Sequence, residues 1–320
     1  MLNRRNLRVK VLQLLYSYYN QSEHSSDLEE LQRNLSKELS LSIKNIDKYF
    51  YDILSIVIVF MDINLEKKEI AKVEKIKKSP LRFNLSENPI IKFIKSNSSI
   101  IDGLISHNNK WDKKCDHLRD WYKILTEEEF YKDYISIESS NFEEDYSFFK
   151  TLILSFIIKN EEINKFFEKK DIYWHQDKII IRSMLKKTIQ SLNSTNFNTF
   201  AIASLSDDIE EDITFACSLF ENATHNTQEY DAYIKKYAKN WDIERISLMD
   251  KSIIRMGIGE MVYFNNIPVK VTINECIDIA KDFSSPKSGN FVNGLLDVIS
   301  LNLQKSKKIN KTGKGLIDNK

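Results

Sequence analysis

Apolar residues recur every three or four positions along most of this 320-residue chain, the period of an amphipathic helix. The opening stretch, LNRRNLRVKVLQLLYSYYNQ (2–21), sets the pattern. At about 100° per residue, Leu7, Val11, Leu14, Leu15 and Tyr18 share one broad face, with Lys10, Gln13 and Ser17 opposite. Arg4 and Arg8 follow the side of Val11 and Leu15 one or two turns earlier, so cations continue the apolar face past the edge of the body. A helix N-terminus carries partial positive charge and prefers anions. Arg4, Arg5, Arg8 and Lys10 at that end therefore need an anion opposite, or they are only a solvated end.

Further along, 21–45 reads as a polar linker and a second helix, and 45–76 as one long helix or a pair. Residues 77–90 hold two of the four prolines and read as a loop. Helices resume from about 90 to 136 with Asn- and Ser-rich breaks, and 195–212 is a polar connection. Segments 144–178 and 211–245 align without a gap at an offset of 67, pairing Asp145 with Asp212, Phe148 with Phe215, Leu152 with Leu219, Trp174 with Trp241 and Lys178 with Arg245. Two long amphipathic helices could also match this way by chance.

The last third is the most patterned. In 242–264, Ile246, Met249, Ile253, Met256 and Met261 keep helical spacing, and Gly257 and Gly259 let another helix approach closely. A new helix opens at 272–283 with Thr272 and Glu275 spaced as a capping box. SSPKSG (284–289) is a loop, 290–303 a final amphipathic helix, and 305–320 a Lys-rich tail expected to be disordered.

Composition narrows the class. Only 7 Gly and 4 Pro occur, far below average usage of about 7% and 5%, too few for the turns of a β-rich fold. The expected fold is all-α. A chain this long can bury roughly 75% of its unfolded surface, so it needs no disulfide or metal staple. Net charge is +1, so any nucleic-acid site is a local patch. Cys115, Cys217 and Cys276 are odd in number and far apart, as free thiols in a reducing cytosol would be. The most apolar later stretch, 53–63, is too short to span a bilayer. A secretory signal is set aside because Gln13, Ser17 and three tyrosines interrupt the N-terminal apolar run and no small-residue cleavage site follows. A soluble cytoplasmic protein is expected.

No catalytic constellation stands out. His24, His107, His117, His175 and His225 are scattered, and the Cys115–His117 pair has no second ligand pair. Neither a Gly-rich phosphate loop nor a nucleophile elbow occurs. The expectation is a protein that is not an enzyme, with no cofactor and no metal.

Two stretches combine cations, amides and aromatics. One is Arg4, Arg5, Arg8, Gln13 and Tyr16; the other is Lys281, Phe283, Lys287, Ser288, Asn290, Phe291 and Asn293. Such a mixture suits single-stranded RNA: cations neutralise phosphates, aromatics stack on unpaired bases and amides read base edges. Taken singly, Tyr16 and Phe291 fit the core better than a stacking role, and Asn293 fits a helix start.

RRNLRVKVLQLLYSY followed by IPVKVTINECIDIAKDFSSPKSGNFVNGLLD resembles the transcription antitermination factor NusB family, most specifically in the Phe-Val-Asn-Gly-x-Leu-Asp ending. Residues 212–256 also resemble that family's central helices. The resemblance covers about 1–20 and 210–303. It implies two packed helical bundles that bind boxA RNA of ribosomal RNA leaders in a heterodimer with the ribosomal protein NusE, within an RNA polymerase antitermination complex. Carried over by motif, the N-terminal arginines and Tyr16, with Phe283 and the Lys287-to-Asn293 segment, belong to the RNA surface, and Asp250 to the NusE-facing side. Lys287 stands where an acidic residue is expected. Domains are expected at 1–20 (basic helix of the core), 21–209 (a helical insert enlarging the N-terminal bundle), 210–304 (C-terminal core bundle) and 305–320 (tail). The alternatives are a non-catalytic protein-interaction scaffold and an RNA-docking module of a methyltransferase; the second needs a Gly-rich cofactor domain that the chain lacks.

Overall fold

A computed structural model describes residues 1–73, 84–109, 111–192, 200–238 and 246–319. Among these the chain is all-α, with fifteen α-helices and no strand. It divides into two compact units: Met1 with Lys44–Asp207, and Leu2–Ile43 with Asp208–Lys320.

The second of these units begins with α1 (Arg4–Ser22). Asn3 caps it reciprocally with Asn6, each side chain accepting from the other's backbone N–H. The helix is buried on more sides than its pattern suggests: Lys10, expected on the polar side, is buried along with Leu7, Val11 and Leu15. The first part of α2 (Leu28–Val73) belongs to this unit too. Asp27 caps α2 through Glu30 N (2.9 Å), and no Gly or Pro interrupts the chain before Pro80, so a single 46-residue helix takes in the expected second helix and runs on as the one-long-helix alternative for the stretch from 45.

Helices α3 (Asn84–Glu87), α4 (Pro89–Ser96), α5 (Ser98–Ser106), α6 (Asp116–Glu127), α7 (Glu129–Ser136), α8 (Phe142–Thr151), α9 (Glu161–Lys170) and α10 (Trp174–Gln190) complete the first unit. A π-helical turn, Leu152–Ile157, follows α8. This unit has its own core: Phe50, Phe60, Phe149, Phe167 and Trp174 are all at most 1% exposed. The insert therefore divides differently from the expectation. Residues 21–43 join the unit of α1, where the Gln32 amide donates to Thr224 Oγ1 (2.6 Å) and Ser36 Oγ to Glu221 Oε1 (3.0 Å), whereas 44–207 bury their apolar faces against one another. The first part of the expected 77–90 loop, through 83, lies outside the described residues.

α11 (Ile209–His225), α12 (Thr227–Tyr237), α13 (Leu248–Tyr263), α14 (Val269–Phe283) and α15 (Ser288–Lys305) finish the second unit. α13 is central, buried at every position from Ser252 to Met261 and packed by α1, α11, α14 and α15. At Gly257 a Cβ would sit 2.9 Å from Cys276 Sγ and 3.1 Å from Leu296 Cδ1, so only glycine admits α14 and α15 that closely. The internal offset of 67 reappears in the helix limits. α8 starts at Phe142 and α11 at Ile209, and α9 ends at Lys170 and α12 at Tyr237. Their caps follow suit: Asn141 accepts from Glu144 N and Asp208 from Glu211 N. Trp241 and Arg245 of that alignment lie outside the described residues.

Two local expectations are corrected. The Thr272–Glu275 capping box does not form, because Pro268 starts α14 one turn earlier. Thr272 Oγ1 instead donates to Glu260 Oε1 (2.6 Å), supplying a donor to a buried carboxylate. The tail is not disordered over its described part. Ile309 is buried, Lys308 Nζ donates to Glu229 Oε1 (2.7 Å) and Tyr233 Oη (2.8 Å), and Thr312 N donates to Asn265 O (2.9 Å). A 3-10 turn, Gly313–Asn319, follows. One apolar anchor and a few polar contacts suffice to lay this Lys-rich segment over the α13–α14 turn.

Candidate nucleic-acid interface

The arginines of α1 each meet a carboxylate far away in sequence. Arg4 Nη2 lies 2.6 Å from Glu211 Oε1, and its guanidinium sits over the Phe215 ring, 4.2 Å from the centroid. Arg5 donates from Nε to Glu275 Oε2 (3.1 Å) and from Nη2 to Asp278. Asp278 also pairs with Lys281 (3.2 Å); the hydrogen bonds from Arg5 and then Lys281 hold its carboxyl below the usual carboxylate range. Arg8 reaches Glu260 through two bonds, Nε to Oε2 (2.7 Å) and Nη2 to Oε1 (2.9 Å). Burial works against the Arg8 cation, but the Glu260 carboxylate outweighs it and raises the guanidinium's pKa above its ordinary value.

These partners separate the arginines by task. Arg4 and Arg5 keep 37% and 40% of their side chains exposed. Exposed ion pairs are worth about 0–1 kcal/mol, so an arriving phosphate can compete for both side chains. Arg8 is 3% exposed; it is enclosed by the fold rather than open to a ligand, a correction to its expected place on the surface.

The later stretch divides in the same way. Lys281, Lys287 and Asn290 are exposed, and Phe283 and Asn293 half-buried. Ser288 and Phe291 are buried, Phe291 as a core ring rather than an open platform. Ser288 Oγ donates to Asp250 Oδ2 (3.1 Å) and lies 2.8 Å from Ser285 Oγ and 3.0 Å from Ser284 Oγ. Asp250, expected to face a partner, is 8% exposed. It pins the 284–288 loop from beneath. Within α1, Tyr16 is exposed and Gln13 half-buried.

The two stretches meet at one point. Arg5 and Lys281 share Asp278, and the Lys281 side chain lies along Gly289, where a Cβ would be 3.2 Å from its Cγ. A cleft of about 1070 Å³ opens beside this junction. Asn3, Arg4 and Arg5 line one side, with the buried Arg8 behind them, and Phe215, Tyr263 and Phe264 supply aromatic surface. Lys314, from the segment expected to be disordered, also lines it. Sequence reasoning missed Lys314 because a Lys-rich run carries no signal that it folds back. It missed Glu260 because one glutamate among many looks like any other until its burial is known. Among the described residues no cluster of three or more His, Cys, Asp or Glu could hold a metal, and no helix is long and apolar enough to cross a membrane.

Comparisons with known proteins cover the later part of the chain. Residues 178–300 match the model of the NusB family. A transcription antitermination protein NusB from Salinibacter ruber is 46% identical over 103 residues, 32% of this chain and 64% of that protein. One from Chloroherpeton thalassium is 38% identical over 115 residues, 35% of this chain and 54% of that protein. The chain thus spans less than two thirds of the length of either relative.

Proposed function

We propose that this chain, whose residues 178–300 match the NusB family model, is a transcription antitermination factor that binds single-stranded RNA and catalyses no reaction. The observation that carries the reading is the match itself, a family domain with relatives at 46% and 38% identity that are named for antitermination. The RNA is of boxA type, from ribosomal RNA operons, and the partner is the ribosomal protein NusE within the polymerase complex.

The exposed and half-buried groups fit such a ligand. Arg5, Lys281 and Lys287 offer cations to successive phosphates; Asn290 and Asn293 offer amides to base edges; Tyr16 and Phe283 offer rings for stacking. Arg4 and Gln13 flank them on α1. Arg8, Ser288 and Phe291 support this face from inside, and Asp250 acts through the loop it pins. Phosphate binding to Arg5 displaces Glu275 and Asp278, its present partners.

The test is fluorescence anisotropy of a boxA-type RNA oligonucleotide across a salt series, with and without NusE. Each of Lys281→Ala and Lys287→Ala is expected to weaken binding and flatten the log K against log salt slope by about 0.7, the single-strand value per phosphate contact. NusE is expected to tighten binding. Equal slopes in the parent and both variants would favour the scaffold reading, in which this face binds no RNA.

A further inference from the structure

We propose that the insert carries a docking groove for a Lys/Arg-bearing amphipathic helix of a partner protein. This goes beyond the RNA reading and does not depend on it, since the groove lies at 55–113, outside the family match.

A cleft of about 820 Å³ runs between α2 and α5, with Asn108, Asn109 and Trp111 lining one end. Its α2 wall is a stripe at helical spacing: Ser55, Ile58, Asp62, Leu65 and Glu69. Its α5 wall is Ile101, Leu104 and Ile105. Leu65 and Ile101 are each 39% exposed and Ile105 is 71% exposed, so apolar side chains lie open in the groove. From Ser55 to Glu69 the stripe runs about 21 Å at 1.5 Å per residue, the length of a helix of about 14 residues. A helix laid along it would present apolar residues at i, i+3/i+4 and i+7.

Charge selects the occupant. Four carboxylates line the cleft, Asp62, Glu66, Glu69 and Asp112, against one cation, Lys113. Asp62 pairs with Lys95 (2.6 Å) and Glu66 with Arg119 (2.9 Å). Glu69 is exposed and meets no cation among the described residues. An apolar strip lined by four carboxylates against one cation suits a helix whose polar face carries Lys and Arg and disfavours an acidic one.

The groove is also preformed. Gly103 brings α5 so close to α2 that a Cβ there would overlap the Tyr51 ring, 2.1 Å from Cε1. Asn109 fixes the end wall, accepting from Ser55 Oγ (3.0 Å) and Trp111 N (3.1 Å) and donating to Asp52 Oδ1 (2.8 Å). Trp111 is itself stacked on Phe167 at 5.7 Å. A partner therefore has little ordering of the groove to offset.

The test uses the full chain and a fluorescein-labelled 18-residue peptide with Leu at the i, i+3, i+4, i+7 positions and Lys elsewhere. A scrambled peptide of the same composition is the control. The amphipathic peptide is expected to bind at least tenfold more tightly than the scrambled one. Ile105→Lys and Glu69→Lys, both at exposed positions, are each expected to weaken it at least tenfold; Ile172→Lys, on the insert outside the groove and 81% exposed in the parent, is expected to leave it unchanged. Circular dichroism checks that the variants stay folded. Equal binding of both peptides, or equal effects of the three substitutions, would overturn the proposal. So would a concentration-dependent dimer in sedimentation that Ile105→Lys abolishes, which would give the groove to a second copy of this chain.

Discussion

Arg8→Ala is expected to cost about 3–5 kcal/mol, the penalty for removing one partner of a buried ion pair. Glu260 is 1% exposed and takes two bonds from Arg8 and one from Thr272. Without Arg8 the carboxylate keeps one hydroxyl donor in an environment that cannot solvate it. For a unit of this size the thermal midpoint should fall by roughly 10 °C, with hydrogen exchange rising first in α1, α13 and α14. Arg8→Lys keeps the charge but not the two-pronged geometry, and should still lose a large part of the stability. The pair Arg8→Met with Glu260→Leu should recover most of it, because neither charge is then left alone. Unchanged stability in Arg8→Ala together with weaker RNA binding would return Arg8 to the ligand surface and refute its structural role.

Trp174→Ala is the second large effect, expected at about 3–5 kcal/mol for truncating a fully buried indole. The ring stacks on Phe167 at 4.3 Å and meets the Tyr49 edge at 5.6 Å. Its Nε1–H donates to Asn164 Oδ1 (3.0 Å), which also accepts from Lys178 Nζ (2.9 Å), and Asn164 Nδ2 in turn donates to Ile158 O (3.0 Å) behind the π turn. Removing the indole empties a cavity and takes one donor from this chain of bonds. Trp174→Phe retains most of the apolar contact and should cost about 1–2 kcal/mol, mainly the lost hydrogen bond. Exchange at the amides of α9 and α10 is the readout. If Trp174→Phe proves as damaging as Trp174→Ala, the hydrogen bond rather than the packing is the dominant contribution.

How much of this was legible depended on whether a feature is local. The all-α class follows from scarce Gly and Pro, and the close approach at Gly257 was readable because small residues inside an apolar helix have few other uses. The offset of 67 was visible in side chains and reappears in caps and helix limits, since capping is set within three residues. The carboxylates that answer Arg4, Arg5 and Arg8 lie more than 200 residues away, and no periodicity carries that distance. The same gap explains Thr272. Its spacing to Glu275 is that of a capping box, but a buried Glu260 needing a donor settled what the hydroxyl does. The boundary near residue 44 was hidden because α2 crosses it without a Gly or Pro to mark it. Of the candidate ligand residues, the exposed cations were recognisable by type, whereas the burial of Arg8, Ser288 and Phe291 depends on what packs over them.

The close packing at Gly257 gives the molecule a built-in chemical clock. Cys276, which fills the space a side chain there would need, is 1% exposed, and burial pushes its thiol pKa well up. Cys115 and Cys217 are only partly covered. Because the thiolate is the reactive form, a maleimide added to the native protein should modify those two first. It should reach Cys276 only in molecules whose α13–α14 contact has opened. The mass of the Cys276 peptide over time then counts openings beside the Arg8–Glu260 pair, with no substitution made in the chain.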